Sequence, residues 1–210
     1  MPHPEGSALR LVEPRSTRPQ GIETARYVRA LYPHCPFLET SVRRGSTRWT
    51  VYAIEPGAGR HEVEAGLFHA AVGAAERIRR LARHPDGRPA CENIAFLGAV
   101  VGADDHALMA WPHWALKHVY GPVGLMFGKF AKGVRRQDRR GRNVPPSPFS
   151  FLAVRASIRQ RDPGLLRSTP GLAATLSTAE DDGRNVFAQM PCEWKAVREW
   201  ATSSAALRKR

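Results

Sequence analysis

The sequence predicts an α+β fold, or the closely related α/β arrangement: one layered domain with a central sheet of about four or five strands flanked by helices. Three observations predict it. Short runs rich in β-branched and aromatic residues alternate with stretches whose apolar residues recur at helical spacing, and Pro/Gly clusters separate the two kinds. The chain has 210 residues, 42% of them hydrophobic, enough for one substantial core. No segment repeats another.

Residues 1–20 carry Pro2, Pro4, Pro14 and Pro19 with few large apolar groups, which predicts a flexible N-terminal arm and leaves residues 21–210 as the domain. Ile22, Ala25, Val28 and Leu31 then recur at helical spacing until Pro33 ends the run. Residues 48–54 read RWTVYAI, a strand that Pro56 and Gly57 close. Residues 62–83 give the clearest helix, with Val63, Leu67, Ala71, Ala74, Ile78 and Leu81 as its apolar stripe. After the turn at 84–87, residues 94–101 form a nearly continuous apolar run that suits a strand covered on both faces.

Asp104 and Asp105 can cap a helix starting near His106, and Pro112 must restart or kink it. Residues 123–130 read as a third strand, with Gly124 and Gly128 as points where a bulge or a close ligand fits. A basic loop at 132–148 leads to a fourth strand over 149–158. A last helix is predicted near 193–208.

Charge and composition restrict the function classes. No run of about 18 apolar residues offers a membrane span. The first 20 residues hold no hydrophobic block of the secretory kind. Three scattered cysteines, Cys35, Cys91 and Cys192, argue against a disulfide framework and for a reducing cytoplasm. The net charge of +13 attracts anionic partners, and between Lys129 and Arg161 ten Lys or Arg face the single Asp138. That run is either a solvated loop or a contact for nucleic acid or an acidic protein partner through Lys132 to Arg142. The most basic part lacks interleaved aromatics on which bases could stack.

Motifs of known chemistry are scarce. Eight histidines invite metal readings, but His113 and His118 are five apart and no His-Glu-x-x-His occurs. Glycine-rich phosphate cradles and serine nucleophile elbows are likewise missing. Three features carry what chemistry there is. His34-Cys35-Pro36 lies at a predicted helix-to-strand junction, where Cys35 or His34 could ligate a haem iron, or Cys35 could simply fill the core with Phe37 and Leu38. Arg155 interrupts an apolar strand and needs an anionic partner: a carboxylate such as Asp162, a substrate or a haem propionate. Lys129 on the neighbouring strand could point the same way, with Trp49, Met126, Phe127 and His118 as further pocket residues.

Three blocks in order, His34-Cys35-Pro36-Phe37, then GLMFGKF at 124–130, then PPSPFSFLAVRASIRQRDPGLL at 145–166, resemble a bacterial domain family of unknown function over roughly residues 30–167. In that family Val154 would be isoleucine. More remotely the layout is similar to the family that contains the haem-dependent N-hydroxylase of guanitoxin biosynthesis, where a proline-cysteine pair, in the reverse order, precedes a strand and helix. The resemblance implies a haem-binding enzyme of specialised metabolism that oxidises a small amine or amino-acid-like substrate, with Cys35 or His34 as axial ligand and Arg155 and Lys129 holding carboxylates. The alternative is a non-catalytic binding protein that works through its basic loop. A cofactor-free enzyme with His118 or His34 as base is a third expectation.

Overall fold

The computed structural model describes residues 8–138, 140–166 and 169–188. In chain order the elements are β1 (Leu9–Ser16), α1 (Ala25–Leu31), α2 (Pro36–Arg43), β2 (Thr47–Ile54), α3 (Arg60–Ala82), β3 (Cys91–Leu97), α4 (Asp105–Leu108), α5 (Ala110–Tyr120), β4 (Leu125–Phe130), β5 (Arg136–Gln137), β6 (Asn143–Val144), β7 (Ser150–Ala156) and α6 (Pro170–Ser177). Five strands form a mixed sheet in the order β1-β2-β3-β7-β4, and β5 pairs with β6 as a separate ribbon. Only β2 and β3 run parallel, joined by the α3 crossover. The domain is α+β, with helices on both faces.

Strand alternation decides which face each residue serves. On one face Ile94, Phe96, Leu152, Val154, Leu125 and Phe127 pack beneath α3 and α5. Val63, Leu67, Ala71, Ala74 and Ile78 from α3 are fully buried there, while Leu81, the last of the predicted stripe, is left half-exposed. Each large side chain buried in that layer stabilises the fold by about 1.5–3 kcal/mol. The opposite face carries Trp49, Val51, Ala95 and Phe151, packed against Tyr27, Val28 and Leu31 of α1.

The structure departs from the sequence reading at three places. Residues 9–16 are not an arm: β1 pairs antiparallel with β2 from Leu9↔Ile54 to Ser16↔Trp49, with irregular register around Glu13. Pro14 is tolerated because β1 is an edge strand and that backbone position needs no ladder donor. The Cys-Pro pair opens a helix, since Pro36 is the first residue of α2 and Cys35 stands in extended conformation just before it. The apolar run after Ile94 stops being strand at Leu97, where Gly98 turns the chain at φ +100°. The helix expected near 193–208 and Cys192 lie outside the described residues. Among the described residues no helix is long and apolar enough to cross a membrane.

Candidate functional site

The second face of the sheet is the floor of a cavity of about 1150 Å3. Trp49 from β2, Cys91 and Asn93 from β3, Phe151, Ala153 and Arg155 from β7, and Met126, Gly128 and Phe130 from β4 alternate onto it. One wall is α1 together with residues 33–38, and the basic segment forms another with Val134, Arg136, Asp138, Arg142 and Val144. Rings dominate the interior. Phe130 stacks on Phe151 with centroids 4.5 Å apart and planes within 6°, and Trp49 meets Phe151 edge-on at 5.1 Å. Gly128 makes the stack possible, because a Cβ there would lie 2.9 Å from the Phe130 ring.

The basic loop is folded over this cavity by Asp138, the one acid in its sequence run. Asp138 Oδ2 accepts from His34 Nδ1 at 2.9 Å and from Arg142 Nε at 2.7 Å, while Oδ1 accepts the backbone N–H groups of Arg140 and Arg142. Arg142 also donates to the Pro33 carbonyl at 2.7 Å, which ties the loop to the His34-Cys35 turn a second time. Desolvation works to raise the Asp138 pKa, but the hydrogen bonds from His34, Arg142 and Arg140 outweigh it and hold the carboxyl well below the usual range. An ionised acceptor requires the proton on His34 Nδ1, so the neutral imidazole presents a bare Nε2.

Arg155 has found its partner within the protein. It makes a two-pronged pair with Asp162, at 2.6 and 2.8 Å, donates to the Ala156 carbonyl, and lies 4.8 Å from the centre of the Phe37 ring. Asp162 is 1% exposed and also accepts from the Ile158 N–H. Of the partners weighed for Arg155, the protein carboxylate is the one present. Its guanidinium pins the 158–165 turn to the sheet.

The structure separates residues that sequence spacing grouped. Lys129 cannot point the same way as Arg155: Lys129 is paired with Leu152 and Arg155 with Met126, so they occupy opposite faces of the sheet. His118 lies on α5 in the other layer, donating Nδ1–H to the Trp114 carbonyl at 2.9 Å. Phe127 borders the cavity, yet its ring packs with Tyr120 in the α3/α5 core. The cavity does gather His34, Cys35, Trp49, Met126 and Arg155. Cys91, register partner of Arg155, joins them; burial pushes its thiol up to about 12, against a smaller opposing pull from Arg155.

Sequence reasoning overlooked Tyr27, Asn93, Phe130, Arg136 and Asp138. For Asn93 and Phe130 a signal existed, since each is two residues from another floor residue, Cys91 and Gly128, along its strand. Asp138 could have been found as the lone acid among ten cations. Among the described residues no group of three or more His, Cys, Asp or Glu is placed to hold a metal ion.

Fold and site together define a mixed-sheet α+β protein with a large aromatic cavity walled by a basic ribbon. No family model, no curated protein and no solved structure matches the chain.

Proposed function

We propose that the cavity is the site of a haem-binding enzyme that oxidises a small amine or amino-acid-like substrate. One observation carries the reading: an imidazole oriented by a carboxylate, His34 with Asp138, in the wall of a ring-lined cavity. A flat, apolar macrocycle with anionic edges matches this lining, and the volume exceeds that of ordinary small-ligand pockets, about 300–1,000 Å3. His34 is the better ligand candidate, because the hydrogen bond from Nδ1 to Asp138 orients the ring and leaves Nε2 as the ligating nitrogen. Cys35 beside it is the other candidate.

Arg136, which makes no ion pair with a carboxylate among the described residues, would take the role first given to Arg155 and Lys129. It lines the cavity with its guanidinium 5.8 Å from the Phe130 ring centre. A bound haem supplies one-electron and dioxygen chemistry. The chain's own part is to exclude water with Trp49, Phe130 and Phe151, to hold carboxylates at Arg136, and to keep the proton on His34 Nδ1, donated to Asp138.

The test is the visible spectrum of protein expressed with a haem precursor, alongside His34→Ala and Cys35→Ala. The expected result is a strong haem band that His34→Ala shifts or removes and Cys35→Ala leaves in place. Wild-type protein that stays colourless after reconstitution would sink the proposal.

A second reading, a binding protein for nucleic acid or an acidic partner, has its support in Lys132, Arg135 and Arg140, which are exposed on the basic segment. Phosphate contacts release counterions, so that reading requires affinity for mixed nucleic acid to collapse between low and moderate salt. Flat salt dependence removes it.

A further inference from the structure

The cavity floor is not uniformly aromatic. Strand register sets its side chains in rows across the sheet: Trp49, Asn93, Ala153 and Gly128 form one row, with Cys91 and Arg155 in the row on one side and Phe151 and Phe130 in the row on the other. Within the middle row the side chains shrink toward β4. Ala153 ends at its Cβ, Gly128 has none, and the ring of Phe130 already lies over Gly128. The ground over Ala153 is therefore a recess, bounded by Trp49, by the stack of Phe130 on Phe151 and by Arg155, with Asn93 at its side.

Asn93 is the polar group this recess leaves underused. It is 4% exposed, and its Nδ2–H donates to the Arg48 carbonyl at 3.0 Å, which settles which end of the carboxamide is the oxygen. Among the described residues the one donor to Oδ1 is the Cys91 thiol, 3.8 Å away. A thiol donates weakly, and burial keeps this one protonated, so nothing stronger forms there. Arg155 does not serve either, because its guanidinium is given to Asp162 and the Ala156 carbonyl. A carbonyl oxygen buried on such terms costs stability until a better N–H or O–H donor reaches it.

We infer that the recess beside Asn93 is a specificity subsite for a flat ring that carries an uncharged N–H, as an indole does. The ring lies over Ala153 among Trp49, Phe130 and Phe151, and its N–H donates to Asn93 Oδ1. Aromatic faces and edges of this kind favour a flat aromatic partner. A charged ammonium is the poorer donor here, because Arg136, which has no carboxylate partner among the described residues, lines the same cavity and repels it. The subsite rests on the reading of the cavity as the substrate's, whose class it narrows, and not on the presence of haem.

Calorimetric titration of the full chain, as purified, with indole and with benzofuran tests this, since the two rings match in shape and only indole has the N–H. Wild-type protein should bind indole about tenfold more tightly than benzofuran, the worth of one hydrogen bond to a buried acceptor. Asn93→Leu should bind the two rings equally. Ala153→Leu supplies an independent reading: it fills the recess, leaves Asn93 in place and should weaken indole binding by about tenfold or more. Equal affinities in wild type, discrimination that survives Asn93→Leu, indole binding unchanged in Ala153→Leu, or no binding of either ring overturns the inference. The haem spectrum of the same preparations separates this outcome from that of the haem proposal. Protein that takes up haem but does not tell the rings apart loses the subsite alone, and colourless protein that does tell them apart loses haem alone.

Discussion

His113 shows how one side chain couples the fold to pH. Burial, with Lys117 next in weight, pushes its pKa down to about 3 from an ordinary 6.5, while the bond to the Phe127 carbonyl opposes the shift only weakly. The folded state therefore refuses a proton that the unfolded chain accepts. Stability is fully present above about pH 6.5 and is lost as pH falls toward 3, because over that interval the unfolded state binds more protons. Urea denaturation at pH 7.5, 5.5 and 4.5, values chosen about that window, should show the free energy of unfolding dropping at each step. His113→Gln, which keeps a donor for Phe127, should flatten the drop; an unchanged slope would mean that His113 does not carry the acid sensitivity of this window, which lies above the range of the paired carboxylates. Those act lower: Asp138 and Asp181 both have depressed pKa values, so their contribution is present above the ordinary carboxylate range and fades only beneath it.

Among elements, β4 does the most for the cavity with the least side-chain bulk. Gly128 has no Cβ, and Phe130 lies across that space onto Phe151. Gly128→Ala should push the Phe130 ring off its stack, cost about 1 kcal/mol or more through overpacking, and weaken any ligand seated on the floor. Near-ultraviolet circular dichroism with urea melts would register both effects, and wild-type values in both would mean the ring relaxes freely. Legibility also varied by element. α3 was plain in the sequence because five stripe residues of one helical period, Val63 to Ile78, all enter one core. β1 was not, because an edge strand that buries only Leu9 and exposes Leu11 and Val12 shows no alternation, and Pro14 reads as a breaker. Cys35-Pro36 was misjudged for a related reason, since proline is equally at home ending one segment and starting the next helix.

At the scale of the molecule, the sequence showed which residues were chemically unusual but not which side of the sheet they shared. His34, Cys35 and Arg155 stood out by type, whereas separating Lys129 from Arg155 needed the β4–β7 register, which periodicity within a strand does not contain. The basic run was equally visible as charge and opaque as structure, because its folding depends on one residue, Asp138, meeting His34 from 104 positions away. A net charge of +13 then acts on every element at once. Self-repulsion of that size opposes the compact state, while exposed pairs such as Arg43 with Glu39 return about 0–1 kcal/mol each. Raising sodium chloride from about 0.01 to 0.15 M shortens the Debye length from about 30 to 8 Å and screens repulsion between distant charges far more than contact pairs at 2.6–2.8 Å such as Arg155 with Asp162. The melting temperature should therefore rise with salt. A melting temperature that falls with salt would mean that the ion pairs outweigh the repulsion and that the excess charge is already compensated within the fold.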